Sequence, residues 1–244
     1  MVTKSQYRAR AFLLLIPFFV ILVALFMRLY PSPQGGKVNG LDYFDNFFNE
    51  VSKGSSFNEE AQGKQMKIAD GFSGQTFKSV IKIKGDQKVK YSPEDAAQTA
   101  AKLLTTTGLQ ATAAGDEVTV EGDLGAMTKA VVEDSIAMYN NQGEALRGKY
   151  DLDAQQALFT WHQIMDSLNK DLTKQNQFES AKTMKNLMTK AIEPAYNYYG
   201  VKVTPVKEEI PLLIFALVFY VIYTVWYGFG IMYLFEGLGV NIGH

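Results

Sequence analysis

The sequence predicts a membrane protein in which two transmembrane helices flank an α+β extracytoplasmic domain. Two long apolar runs, near the start and the end of the 244-residue chain, predict the helices. Between them the apolar residues recur first at the two-residue period of strands and then at the spacing of helices. This middle part therefore predicts a small β-sheet with helices, followed by a C-terminal helical hairpin.

The first apolar run extends from Ala11 to Met27 and follows the basic residues Lys4, Arg8 and Arg10. Basic residues before an apolar stretch are also typical of a secretory signal, but no small-residue cleavage site follows this run. The sequence therefore predicts an uncleaved anchor. Pro17 lacks an amide proton and predicts a kink, which membrane helices tolerate.

The second run has 26 uncharged residues between Glu209 and Glu236. A helix needs roughly 20 predominantly apolar residues to cross the hydrocarbon core, and this run exceeds that length. The predicted boundaries are a cytoplasmic tail at 1–10, a first transmembrane helix at 11–30, an extracytoplasmic domain at 31–209, a second transmembrane helix at 210–235 and a second cytoplasmic tail at 236–244.

Charge sets the expected orientation and excludes one class of partner. Basic residues near a first membrane helix remain in the cytoplasm, so both termini are expected there. The main domain is then periplasmic or extracellular, and the compartment is a prokaryotic inner (plasma) membrane. The stretch from Tyr30 to Glu209 has 20 basic and 24 acidic residues, a balance that argues against nucleic acid as a partner. The chain has no cysteine, which excludes disulfides and thiolate metal sites.

The extracytoplasmic domain divides into a sheet part at about 76–147 and a helical hairpin at about 152–199. TFKSVIKIKG alternates apolar and basic residues like a half-buried strand, and a Gly115–Asp116 turn joins two shorter strands. Ser92 and Pro93 predict the start of one helix, and another is expected from Leu124 to Leu146. The hairpin is predicted by two apolar stripes, one of Ala154, Leu158, Trp161, Met165, Leu168 and Leu172 and one of Phe178, Ala181, Met184, Met188, Ala191 and Ala195.

Residues that could carry catalysis are sparse. His162 has no second histidine at helical spacing, and His244 is the last residue. The glycines of GLGVNIG do not fit a dinucleotide-binding motif. The adjacent Glu133 and Asp134 cannot face each other on a helix and are expected to be solvated. The sequence therefore predicts no catalytic, cofactor-binding or metal-binding residue, and a protein that is not an enzyme.

Two segments are predicted to pack against partners. The second apolar run combines bulky aromatic residues with glycines, which leave a depression in the helix surface. Such a surface is better suited to packing against another protein than against fluid lipid. A short helix after the first run has an aromatic face next to acidic residues, which favours packing over lying on lipid. The predicted partner-packing residues are Phe44, Phe47, Phe48, Trp226, Gly228, Gly230, Tyr233 and Glu236. Glu236 lies near the cytoplasmic end, where water can solvate it, although a proton or ion role is the alternative.

Two hypotheses for function follow. The first is a non-catalytic accessory or scaffolding subunit of a multi-subunit integral membrane complex of respiratory, oxidase or transport type. Its partners would be other integral membrane subunits and the lipid bilayer. The alternative is a self-oligomerising envelope protein, such as a polysaccharide chain-length regulator or secretion scaffold. Chain-length regulators also flank an outer domain with two spans, but their proline-rich segment before the second span is here reduced to Pro205 and Pro211.

Overall fold

The computed structural model describes residues 3–32, 35–85, 91–202, 204 and 206–240. Pro205 and His244, both considered above, lie outside the described residues. The chain forms two compact units, one of Met1–Val51 with Thr204–His244 and one of Ser52–Val203. The predicted domain at 31–209 therefore includes residues of both units.

Two long apolar helices dominate the first unit. Helix α1 comprises Lys4–Phe26 and helix α10 comprises Val206–Leu238. Both are long and apolar enough to cross a membrane. Helix α1 begins before the predicted residue 11, because Thr3 and Gln6 form a capping box that satisfies free amides of the first turn. It continues through Pro17 and ends before the predicted residue 30.

Shorter elements follow α1 in the first unit. Strands β1 (Tyr30–Pro31) and β2 (Lys37–Val38) pair antiparallel. Helix α2 (Gly40–Ser56) then carries the chain into the second unit. A Cβ atom on Gly40 would lie 2.9 Å from Leu25 Cδ2, so only a glycine allows α2 to begin this close to the last turn of α1.

A three-stranded antiparallel sheet forms part of the second unit. Its strands are β3 (Thr76–Lys82), β4 (Gln110–Ala114) and β5 (Glu117–Asp123), in the spatial order β3-β5-β4. Phe77, Ile81, Val118 and Val120 are buried on one face, which confirms the alternation predicted for these strands. Helix α3 (Glu59–Asp70) precedes the sheet, and α4 (Pro93–Thr106) starts at the predicted Ser92 cap.

The helix predicted from Leu124 to Leu146 is two helices. Helix α5 comprises Leu124–Tyr139 and helix α6 comprises Gly143–Tyr150. The break occurs at Asn141, whose φ of 61° is incompatible with a continuous right-handed helix. Asparagine adopts this conformation more readily than most residues, and here its side chain binds other parts of the chain.

The predicted pair of helices at the end of the second unit is present. Helix α7 (Ala154–Lys174) packs against α8 (Phe178–Leu187), which continues through a π-helical turn (Met188–Ile192) into α9 (Glu193–Asn197). The whole predicted stripe of α7 is buried. In the second stripe Phe178, in the first turn of α8, is 60% exposed and Met188 is half-buried, whereas the other members are buried.

Candidate functional site

The two apolar helices of the first unit pack antiparallel through small residues. A Cβ atom on Gly230 would lie 2.6 Å from Leu15 Cδ2, and one on Gly237 would lie 2.7 Å from Arg8 Cγ. Ala11 on the facing helix is fully buried. Membrane helices approach closely where side chains are small, so these positions set the distance between α1 and α10. The predicted residue Gly230 therefore contacts the chain's own first helix, and Gly237 has the same role although the sequence analysis did not identify it.

Aromatic rings fill the middle of this helix pair. The ring of Phe18 stacks on Tyr223 with 4.2 Å between centroids and lies 5.0 Å from the ring of Tyr227. The Tyr223 hydroxyl donates a hydrogen bond of 2.9 Å to the main-chain carbonyl oxygen of Phe18. In an apolar environment a hydroxyl needs such a partner, so the contact also fixes the register of the two helices.

Basic side chains lie where α1 begins and α10 ends. Arg8 donates from Nε to the main-chain carbonyl oxygen of Gly237 over 2.9 Å, which satisfies one of the free carbonyls in the last turn of α10. The guanidinium carbon of Arg10 lies 6.0 Å from the ring centroid of Tyr233, within range of a cation–π contact. Tyr233, a predicted partner-packing residue, also contacts Tyr7. Part of the Tyr233 ring therefore contacts α1 of the same chain and not a partner.

Two other predicted residues, Gly228 and Glu236, have different surroundings. A Cβ atom on Gly228 would meet no atom within 4 Å, so this notch is open. Glu236 is half-buried, and its carboxylate pairs with no basic group in the described part of the chain. Of the most apolar 18 residues in α1 and α10, only 17% and 6% are buried in the protein. Most of the apolar surface of the pair is therefore available to lipid or to another protein.

The two helices differ in the length of their apolar stretches. Sixteen residues of the first apolar run lie in α1 and span ~24 Å, and 26 uncharged residues in α10 span ~39 Å, at 1.5 Å per residue. Counted from the stacked Phe18 and Tyr223, Leu25 in the last turn of α1 lies at the level of Ala216. Residues 210–215 of α10 therefore extend beyond α1, and Ile210, Ile214 and Phe215 are all exposed. We call residues 210–215 the α10 extension.

The aromatic residues of α2 have different surroundings. Phe47 is only 7% exposed and is buried, whereas Phe48 is 41% exposed and Phe44 is half-buried. The aromatic face of α2 is therefore only partly covered. At the other end of this segment Glu50 accepts a hydrogen bond of 2.8 Å from the Thr204 hydroxyl, just before α10 begins. Helix α2 thus begins beside Leu25 in the last turn of α1, and its residue Glu50 contacts Thr204, which precedes α10.

An apolar groove of about 640 Å³ lies between α1 and α10. Leu13, Leu14, Val221, Ile222, Val225, Trp226 and Phe229 form its walls, with Arg10 and Tyr233 at one end. Among the described residues, the indole Nε1 of Trp226 is the one buried side-chain nitrogen or oxygen without a hydrogen-bond partner. Trp226, predicted to pack against a partner, thus forms part of a groove wall.

The second unit contains a buried lysine that sequence reasoning missed. Lys53 is fully buried, and its Nζ donates to Asn141 Oδ1 and to the main-chain carbonyl oxygens of Tyr198 and Val201 at 3.1, 2.9 and 2.7 Å. It also lies over the ring of Tyr139. Burial lowers the pKa of Lys53 to about 8. No local pattern indicates this burial, because Lys53 occupies the last turn of a helix, where an exposed lysine is common.

A buried acid lies in the core of the same unit. Asp134 accepts hydrogen bonds from the Tyr150 hydroxyl, Trp161 Nε1 and Lys149 Nζ at 2.5, 2.8 and 2.8 Å. The expectation that Asp134 is solvated is wrong, because its three donors come from the helices packed against α5. Burial and the adjacent Asp134 carboxylate raise the pKa of Tyr150. All three donors belong to helices α6 and α7, which pack against α5, so these hydrogen bonds stabilise the core.

His162, for which the sequence predicts no catalytic or metal-binding role, lies at a small cavity. His162 Nε2 is 3.6 Å from Glu193 Oε1, beside a space of about 200 Å³ that Phe159 and Tyr196 also line. No group of three or more His, Asp or Glu side chains suited to a metal ion occurs in the part of the chain that the structure describes.

Comparison of the chain with protein-family models, with curated proteins and with solved structures finds no match. No activity can therefore be carried over from a relative. The surfaces described above, and the apolar helix pair in particular, are the basis for assigning a function.

Proposed function

We propose that this protein is a non-catalytic accessory or scaffolding subunit of a multi-subunit integral membrane complex of respiratory, oxidase or transport type. Both apolar helices would cross the bilayer, and the second unit would lie on the periplasmic or extracellular side. The protein would stabilise other integral membrane subunits through its helices and its outer domain. The observation that carries this proposal is the exposed α10 extension.

The lipid bilayer alone does not accommodate the α10 extension well. The hydrocarbon core is roughly 30 Å thick, and a longer helix usually fits by tilting. Helix α10 is paired along α1, so the pair tilts together, and only 16 residues of the first apolar run lie in α1. Tilting that buries the extension in lipid would draw the ends of α1 into the hydrocarbon. Contact with another protein covers Ile214 and Phe215 without that cost.

The open position of Gly228 supports the same proposal. The neighbouring Tyr227 contacts Phe18 of α1 and Phe229 lines the groove, but their side chains are still 42% and 49% exposed. A glycine between bulky rings leaves a depression that a helix from another subunit can enter. On this basis Gly230 holds the chain's own helices together, whereas Gly228 remains for a partner.

Site-specific photo-crosslinking tests the proposal in native membranes. A benzoylphenylalanine replaces Ile214 in the α10 extension, and the control carries the same group at Val23, an exposed residue of α1. We expect Ile214 to crosslink to one different protein and Val23 to give little protein product. Native mass spectrometry of the extracted protein then gives the composition of the complex, and Ile214→Glu is expected to dissociate it.

Three results of this experiment are informative. A defined hetero-complex that Ile214→Glu disrupts supports the accessory-subunit proposal. A ring of identical chains contradicts it and favours the alternative, a self-oligomerising envelope protein. A monomer with no protein crosslink at Ile214 contradicts both.

A further inference from the structure

The length of the groove along α10 is close to the thickness of a single membrane leaflet. Its wall on α10 runs from Val221 to Tyr233, ~18 Å at 1.5 Å per residue. Half of the hydrocarbon core is about 15 Å. The volume of about 640 Å³ lies within the range of small-molecule sites, roughly 300–1,000 Å³.

One end of the groove is basic. Arg10 lines that end, and Arg8 and Lys4 occur two and six residues earlier on α1. No carboxylate pairs with any of these three side chains in the described residues, Glu236 included. Arg10 directly precedes the uninterrupted apolar run that begins at Ala11, so it lies at the depth of lipid headgroups. The groove thus combines a cationic mouth with apolar walls.

We infer that this groove binds one anionic phospholipid, with an acyl chain between the helices and the phosphate at Arg10. Basic pockets between membrane helices are suited to such headgroups. A third transmembrane helix would need a groove through the full thickness of the membrane, whereas this one extends across one leaflet. The inference rests on both helices crossing a bilayer and is independent of any partner subunit.

Fluorescence quenching by brominated phospholipids tests the site. The chain has two tryptophans. Trp161 is fully buried in the second unit, whereas Trp226 lines the groove. The full chain is reconstituted in phosphatidylcholine vesicles that contain increasing amounts of brominated phosphatidylglycerol or, in a matched series, of brominated phosphatidylcholine. The signal of Trp226→Phe is subtracted as background. We expect brominated phosphatidylglycerol to quench at several-fold lower concentration.

Two substitutions locate the headgroup and the acyl chain. Arg10→Gln should reduce the preference for the anionic lipid roughly fivefold, the factor that corresponds to about 1 kcal/mol for one basic side chain at the membrane surface. Lys4→Gln removes the same charge from the same end of α1 outside the groove and should reduce the preference far less. Val225→Phe fills the groove and should abolish selective quenching while all charges remain.

Retention of lipid provides a second measurement. Native mass spectrometry of the detergent-extracted chain should show one bound phosphatidylglycerol, which Val225→Phe loses. Equal quenching by the two brominated lipids would overturn the proposal. An equal effect of Lys4→Gln and Arg10→Gln would also overturn it, because this pattern indicates a general surface charge. Tyr7→Cys and Tyr233→Cys, introduced together and joined by a thiol crosslinker, verify in each variant that the helices remain paired.

Discussion

Lys53 donates a hydrogen bond from Nζ to the main-chain carbonyl oxygen of Val201 over 2.7 Å, close to the two chain ends of the second unit. All three of its bonds go to neutral oxygens, and no carboxylate pairs with it among the described residues. The cation joins the end of α2, Asn141 between α5 and α6, and the segment after α9. A single side chain thus holds three separate parts of the chain together.

The buried Lys53 makes stability depend on pH. Burial lowers its pKa to about 8, below the ordinary 10.5 that the unfolded chain would show. Between these values the unfolded chain binds more protons, so the free energy of unfolding should rise as pH increases from about 8 to 10.5. Lys53→Met should remove this rise. Urea unfolding of the full chain in detergent, followed by Trp161 fluorescence, measures both, and an equal rise in Lys53→Met would contradict the assignment.

Asp134→Ala should destabilise the second unit strongly. The substitution leaves the buried Tyr150 hydroxyl and the Trp161 indole without their acceptor. Each buried donor left without a partner costs about 1–3 kcal/mol, so the loss of both bonds should lower the free energy of unfolding by about 3 kcal/mol. Glu133→Ala removes an exposed acid from the adjacent position and should change stability little. Urea unfolding of the two variants provides the comparison, and similar midpoints would show that the Asp134 network contributes little.

Gly230→Leu and Gly228→Leu are expected to act on different interfaces. A side chain at 230 collides with Leu15, so Gly230→Leu should separate α1 from α10. A side chain at 228 meets no atom of this chain and should leave the pair intact while blocking a partner. Because the chain has no cysteine, Cys residues introduced at Tyr7 and Tyr233 report pairing without background. Loss of crosslinking only in Gly230→Leu is the expected result, and loss in both variants would show that Gly228 also supports the pair.

Much of the fold follows from local patterns in the sequence. The strand around Phe77 and the helix that starts after Ser92 were predicted because alternation and capping are properties of neighbouring residues. The break at Asn141 was missed, since it depends on bonds to Gly200 and Val201, about sixty residues away. Local spacing carries no information about such contacts.

For the candidate surfaces too, the sequence predicts the local features and not those that depend on distant contacts. Composition marked the glycines of α10 as packing residues, but only the register set by Phe18 and Tyr223 separates Gly230, which is covered, from Gly228, which is open. Asp134 was expected to be solvated, and no local pattern distinguishes Lys53 from an exposed lysine. Their burial depends on tertiary partners that complete their hydrogen bonds, which no single helix reveals.

Labelling of single cysteines should place both ends of the chain on one side of the membrane. Arg8 contacts Gly237, so the start of α1 and the end of α10 lie at the same level. Ser5→Cys and Val240→Cys should therefore react with a membrane-impermeant maleimide from the cytoplasmic side, where the basic residues of α1 are retained. Lys182→Cys, exposed in the second unit, should react only from the opposite side. Reaction of all three from one side would show that the apolar helices do not cross the bilayer, and reversed labelling of all three would show that the basic end of α1 faces outward.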